Sequence, residues 1–263
     1  MAEQRVNGAN LYYENHGAGA PIVLIHGCGG SALGFTNAVT ELAKLGRVTA
    51  YDRRGCARSE RPEPYERTSV AEHTDDAAAL LAALEATPAI VIGRSYGGTI
   101  AADLALHYPD RVRAVVMLEP DAPRELAPNA AAWIDALAER LRDVAARDGI
   151  DAVGEALITG VAGEDAWRSF PDQWQRVVTQ NGQAILAELR GEWWLKADAA
   201  VLATITQPTL LVAAAESPPE FHQPINVFAS ALPNARTALV GGDHIIDPAA
   251  PEVIAFIEEV LDQ

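Results

Sequence analysis

A chain of 263 residues, 49% of them hydrophobic, is long enough to bury a core without disulfides or metals, and suggests one large domain or a core carrying an insertion. Its 36 acidic against 20 basic residues give a formal charge of −16, a surface that repels phosphate backbones and anionic headgroups and so excludes nucleic acid and membrane surfaces as partners. Cys28 and Cys56, the 2 cysteines, are too few for a disulfide framework and form no paired metal-ligand motif, so free thiols in a reducing compartment and no metal are expected.

The N-terminus Met1-Ala2-Glu3-Gln4-Arg5 has no apolar signal segment, and no window holds the roughly 18 apolar residues of a membrane span; the expected location is cytoplasmic. Two short strands joined at Asn7-Gly8, a strong hairpin-turn signal, open the chain. Pro21-Ile22-Val23-Leu24-Ile25 is a continuous apolar run of the kind buried on both faces of a parallel sheet, and it ends in the loop His26-Gly27-Cys28-Gly29-Gly30. Strand and helix patterns then alternate. Strands are predicted at 47–51, 89–92 and 114–118, and helices at 70–84 and 99–107. That alternation implies parallel pairing in a three-layer α/β sheet, whose ligands bind at the carboxyl ends of strands.

The rhythm breaks after Pro120. From 121 to 203 only helical patterns occur, among them 130–146 and 183–189, and this stretch holds all 5 tryptophans, Trp133, Trp167, Trp174, Trp193 and Trp194. Strands resume at 209–213 and 236–240, and a helix over 251–261 closes the chain. The expected organisation is a core of residues 1–120 and 204–263 with a helical cap, or lid, over 121–203.

Gly93-Arg94-Ser95-Tyr96-Gly97-Gly98 lies between a predicted strand and a predicted helix, the context of a nucleophile elbow G-x-S-x-G. Such a turn forces Ser95 into a strained conformation at a helix N-terminus, and its flanking glycines remove side chains that would collide. Serine needs a base within hydrogen-bond reach. His244, in Gly241-Gly242-Asp243-His244 after the last strand, is the candidate. His16, His73, His107 and His222 have ordinary surface or helix-end readings, and His26, which begins the loop after the third strand, has a structural one.

These residues together, His26-Gly27-Cys28-Gly29, Asp52-Arg53-Arg54-Gly55-Cys56-Ala57-Arg58-Ser59, Ser95 and His244, resemble the α/β-hydrolase superfamily over essentially the whole chain. The resemblance implies a mostly parallel eight-stranded sheet flanked by helices, with the cap inserted after the sixth strand. It also implies an oxyanion hole made by the main-chain N–H groups of Tyr96 and Cys28. The chain departs from the commonest pattern at the triad acid: the aspartate expected after the seventh strand falls at Ser217, in Ala213-Ala214-Ala215-Glu216-Ser217-Pro218. Glu119, at the tip of the sixth strand, is the preferred substitute, with Glu216 and Asp121 behind it. Asp243 adjoins the base but points apart from it, and Asp52 is expected to brace its own Gly55-containing loop. Leu118-Glu119-Pro120 and the alanine-rich run into Pro218 are further similar to zearalenone-type lactone hydrolases.

The implied activity is hydrolysis of a carboxylic ester or lactone, including macrocyclic ones, on a Ser95–His244–Glu119 triad without metal or organic cofactor. Carbon–carbon bond hydrolysis or a lyase reaction on the same triad, and a non-catalytic ligand receptor, are the alternatives. Expected substrate walls are Trp193, Trp194, Phe35, Gly27, Tyr96, Met117 and Phe221. The expected partner is a small-molecule ester or lactone, and a homodimer is left open.

Overall fold

In the computed structural model, which describes residues 2–263, the hairpin opens the chain as expected. Strands β1 (Ala2–Val6) and β2 (Ala9–His16) meet through Asn7 and Gly8 at φ 43° and 82°, both in the left-handed region that a two-residue hairpin turn of this kind requires. Then follow β3 (Pro21–Ile25), β4 (Arg47–Tyr51), β5 (Ala89–Arg94), β6 (Val112–Leu118), β7 (Thr209–Ala214) and β8 (Ala235–Val240). They form one sheet of 8 strands in the order β1-β2-β4-β3-β5-β6-β7-β8. β1 and β2 pair antiparallel, β2 pairs antiparallel with β4, and every later pairing is parallel.

The central strands are apolar on both faces because both faces are covered. On β3, Val23 and Ile25 pack on the side of α2 (Val70–Ala83), α3 (Tyr96–His107) and α9 (Pro219–Ala231). Ile22 and Leu24 pack on the opposite side, with α1 (Thr36–Leu42) and α10 (Pro251–Leu261). This is the period-2 alternation of a strand expressed as two cores, and it accounts for the unbroken hydrophobic runs in the sequence.

Between β6 and β7 the chain is helical: α4 (Pro128–Asp148), α5 (Ala152–Ser169), α6 (Asp172–Gln180), α7 (Gly182–Arg190) and the short α8 (Ala199–Leu202). Leu137 and Leu141 of α4, Val153 and Leu157 of α5, and Ile185 and Leu186 of α7 form a small core of their own. The segment returns to the sheet layer where Glu192 bridges Ser69 beside the start of α2.

The structure adds helices that periodicity did not single out. α1 has 7 residues, too short for a pattern; α9 carries Pro224 inside it; α5 is kinked at Gly163, whose φ is 89°. The third helix starts at Tyr96 rather than Thr99, because the two glycines that weaken helix propensity there are imposed by packing. Among the described residues, no helix is long and apolar enough to cross a membrane.

Candidate active site

Ser95 ends the turn between β5 and α3 at φ 55° and ψ −125°, a conformation L-residues rarely hold. The reason is on either side of it. A Cβ on Gly93 would lie 2.1 Å from the carbonyl oxygen of Gly97, and one on Gly97 would lie 2.1 Å from that of Ile25, so strand, turn and helix approach too closely for any side chain. The Ser95 N–H donates to the Leu118 carbonyl at 2.8 Å, which ties the elbow to the end of β6.

β6 ends beside it and is followed by a buried carboxylate, Glu119. The Nδ1–H of His244 donates to Oε2 of Glu119 at 2.7 Å, and both side chains are buried. Glu119 itself has φ 44°, so the chain turns sharply as it leaves the strand. Its other oxygen accepts the Ala214 N–H at 2.8 Å, and Ser217 Oγ donates to Oε2 at 2.9 Å. The residue at the expected aspartate position therefore supports the glutamate with a hydroxyl. Burial pushes the Glu119 carboxyl up, but the His244 hydrogen bond and charge, with those two donors, hold it below its ordinary value.

The other acid candidates lie elsewhere. Glu216 is exposed. Asp121 accepts the indole N–H of Trp193 at 3.0 Å, and burial raises its pKa to about 6 despite that bond. Asp243 accepts the N–H of Ile245 at 2.8 Å. Asp52 braces two loops: one oxygen accepts the Ala32 N–H at 2.8 Å, and the other accepts the Arg58 main-chain N–H at 3.1 Å. Among the described residues no group of three His, Cys, Asp or Glu side chains could hold a metal ion.

The loop after β3 faces the serine. A Cβ on Gly27 would come within 3.1 Å of Ser95 Cβ, which brings the Gly27 backbone against Ser95. Tyr96 is the first residue of α3, so its N–H has no acceptor within the helix. His26 is fully buried with both nitrogens occupied, Nδ1–H donating to Gly27 O at 2.8 Å and Nε2 accepting the Arg53 N–H at 2.9 Å. Burial and the nearby arginines hold it neutral, with its pKa well below the usual value. Cys28 and Cys56 are free thiols, the first raised well above its ordinary pKa by burial and the Glu188 carboxylate, the second pushed to about 12 chiefly by burial.

Ser95 and His244 line two adjoining cavities together with Cys28, Leu157 and Val161. The first continues past Gly27 and is walled by Ile158, Phe170, Trp174, Val177 and Val178, with Arg94 at its side. The second is walled by Trp133, Trp193, Phe221, Pro120 and Pro224, with Asp121 and Glu220 among its polar groups. Gly27, Trp193 and Phe221 thus line the cavities.

Four expected walls do not, and each has a packing reason. Phe35 is buried in the core beneath the opposite face of the sheet, with the Arg94 guanidinium over its ring at 5.1 Å. Met117 points into the core with α3, as alternation along β6 dictates. Trp194 packs against that same core and carries Arg124 over its ring at 5.6 Å. The Tyr96 ring is fully buried, with its centroid 4.3 Å from that of Trp193, which stands between it and the cavity as the wall. The walls from α5 and α6, and Asn181, whose side chain bonds the carbonyls of Gly29 and Gly30 at 2.9 Å, lay outside the sequence reading because nothing local marks them.

With this geometry in hand, the comparisons place the chain. Residues 20–246 match the family model described as alpha/beta hydrolase fold. Over 259 residues, 93% of this chain and 92% of the relative, the sequence is 30% identical to a putative carbamate hydrolase, RutD, of Azorhizobium caulinodans. Other matches are local. That to a zearalenone hydrolase of Bionectria ochroleuca is 36% identical over 110 residues, 41% of this chain and 42% of that one, and that to an uncharacterized hydrolase, YraK, of Bacillus subtilis covers 43% of its length at 40% identity. A solved structure from work on carboxylesterases of Nitrososphaera gargenis superimposes with a TM-score of 0.79 at 23% identity, covering 99% of this chain and 98% of that one. The elbow, the imidazole after β8 and the parallel sheet that unites them thus sit on a chain that belongs to the α/β hydrolase fold family.

Proposed function

We propose that this protein is a serine hydrolase of carboxylic esters or lactones, acting through an acyl-enzyme on Ser95, His244 and Glu119. The observation that carries the reading is the 2.7 Å bond from His244 Nδ1 to buried Glu119, with Ser95 and His244 lining the same cavities. That bond places the proton on Nδ1 and leaves Nε2 as the base. His244 takes the proton of Ser95 as Oγ attacks the carbonyl carbon, and the oxyanion that forms accepts from the N–H groups of Cys28 and Tyr96. Collapse of this intermediate expels the alkoxide, which takes the proton from His244. A water molecule then repeats the sequence on the acyl-enzyme and frees the acid and Ser95.

Two cavities meeting at the serine suit a substrate with bulk on both sides of its carbonyl. Apolar and aromatic walls favour apolar acyl and alcohol parts. The α4–α8 segment, which supplies Trp133, Leu157, Val161 and Trp174 to those walls, serves in this reading as the cap. For a lactone it would hold the tethered alcohol until water attacks. The local likeness to a zearalenone hydrolase makes macrocyclic lactones the first to try.

The test is turnover of p-nitrophenyl acetate and of a resorcylic macrolactone by the wild type and Ser95→Ala. Release that falls at least about a thousandfold in the variant is expected. Equal rates in both proteins, or ligand binding with no turnover, would overturn the reading, the latter in favour of a receptor.

A further inference from the structure

Behind the loop that holds Cys28 lies a charged group the mechanism does not use. Arg53, the residue after Asp52, is buried with its partner Glu188 of α7; both side chains are 0% exposed, and Nη1 lies 2.7 Å from Oε1. Two further donors of this guanidinium go to main-chain oxygens. Nε donates to the carbonyl of His26 at 3.0 Å and Nη2 to that of Gly27 at 2.9 Å. The Gly27 oxygen also accepts from Nδ1 of His26 at 2.8 Å and from the N–H of Gly30 at 3.2 Å. Three donors, one of them cationic, therefore converge on a single carbonyl.

That carbonyl belongs to the same peptide unit as the Cys28 N–H. Drawing electron density toward the oxygen makes the N–H a stronger donor, and holding the oxygen fixes the direction in which the N–H points. We propose that Arg53 is a positioning residue for the oxyanion hole: through the Gly27 carbonyl it orients and polarises the peptide whose N–H meets the developing oxyanion, and Glu188 of α7 holds it there. This rests on the hydrolase reading above, and it ties the helical segment to the chemistry by a charge as well as by walls.

The site would gain nothing from this pair as a plain structural ion pair, since two buried charges are generally replaceable by apolar residues of similar volume at little cost to stability. The pair is set well for a donor instead. Glu188 neutralises the charge of Arg53, so the guanidinium polarises the peptide without placing a net cation behind it. Glu188 also stands beside the Cys28 thiol, whose pKa it helps to raise, and 3.8 Å from Nε2 of His73, while its Oε2 has no hydrogen-bond partner among the described N and O groups.

The experiment compares the wild type, Arg53→Lys, and the double variant Arg53→Met/Glu188→Leu, which removes both charges and leaves neither stranded. Three readouts separate positioning from mere support. Thermal unfolding of the double variant is expected within a few degrees of the wild type. Its kcat on a neutral ester is expected to fall about tenfold with KM within about twofold, because the loss is felt where the oxyanion forms. Inhibition by a trifluoromethyl ketone, whose adduct carries the same oxyanion, should weaken by the factor lost in kcat/KM, with Arg53→Lys in between.

The free protein supplies a readout that needs no turnover. With 2 cysteines in the chain, selective 15N-cysteine labelling gives one amide signal from each, and Cys56→Ala assigns them. The Cys28 proton signal is expected to move upfield in the double variant. Wild-type kcat and an unmoved Cys28 signal in a folded double variant would overturn the proposal. Were the wild type to show no Ser95-dependent turnover, the hydrolase reading would fall, and the amide signal alone would decide whether Arg53 polarises this peptide.

Discussion

Glu119 is the residue whose assignment distinguishes this chain, and its surroundings show what a carboxylate needs in order to serve an imidazole. It is held by the Ala214 N–H and the Ser217 hydroxyl, which orient both oxygens, and by His244, which draws its pKa down. On the proposed triad, Glu119→Gln is expected to lower kcat at least about a hundredfold by losing the charge that would stabilise the imidazolium, while exposed Glu216→Gln changes it less than about twofold. Steady-state kinetics on one ester checks both. At the elbow, Gly97→Ala would put a methyl group 2.1 Å from the Ile25 carbonyl oxygen. A loss of at least about 2 kcal/mol in urea unfolding is expected, since no flexible side chain is there to move aside.

Between elements, Asp121 and Trp193 make a joint. Asp121 leaves β6 at the start of the helical segment, Trp193 stands where that segment returns, and the 3.0 Å bond between them closes its two ends. Burial raises the Asp121 carboxyl from its ordinary value of 3.8 to about 6. The unfolded chain therefore loses this proton at lower pH than the folded one. Stability contributed by the protonated acid is full below the unfolded value and falls as pH rises toward 6, above which it is flat. Asp121→Asn keeps an oxygen for the indole and removes the titration. Its stability relative to the wild type is expected to climb between about pH 4 and pH 6 and then level off, read by urea unfolding across that range. A constant difference across the range would show that Asp121 does not titrate there.

For the molecule as a whole, 36 acidic against 20 basic residues set a self-repulsion that the surface ion pairs only partly relieve. Most of those pairs are exposed, as are Arg168–Glu164 and Lys196–Glu192, and contribute little each. Raising sodium chloride from about 10 mM to about 150 mM is therefore expected to raise Tm, since it screens the net charge more than it weakens single pairs. A fall in Tm would mean that attractive pairs dominate the surface.

Much of the molecule was legible in its amino-acid order. The strands from Pro21 to Ala214 announced themselves because burial on both faces demands apolar runs, and the elbow because the backbone tolerates only glycine two positions before and two after Ser95. His244 followed from its place after the last strand. The carboxylate that His244 meets could only be narrowed to Glu119, Glu216 and Asp121, since Glu119 and His244 are 125 positions apart and no local pattern encodes their meeting. The same holds for Arg53 and Glu188, separated by 135 positions, and for the walls. Phe35, Met117 and Trp194 are as aromatic or apolar as a pocket requires, yet they face cores. Which element a side chain meets depends on how distant segments stack, and periods of 2 and 3.6 residues record the first layer of that contact but not the partner.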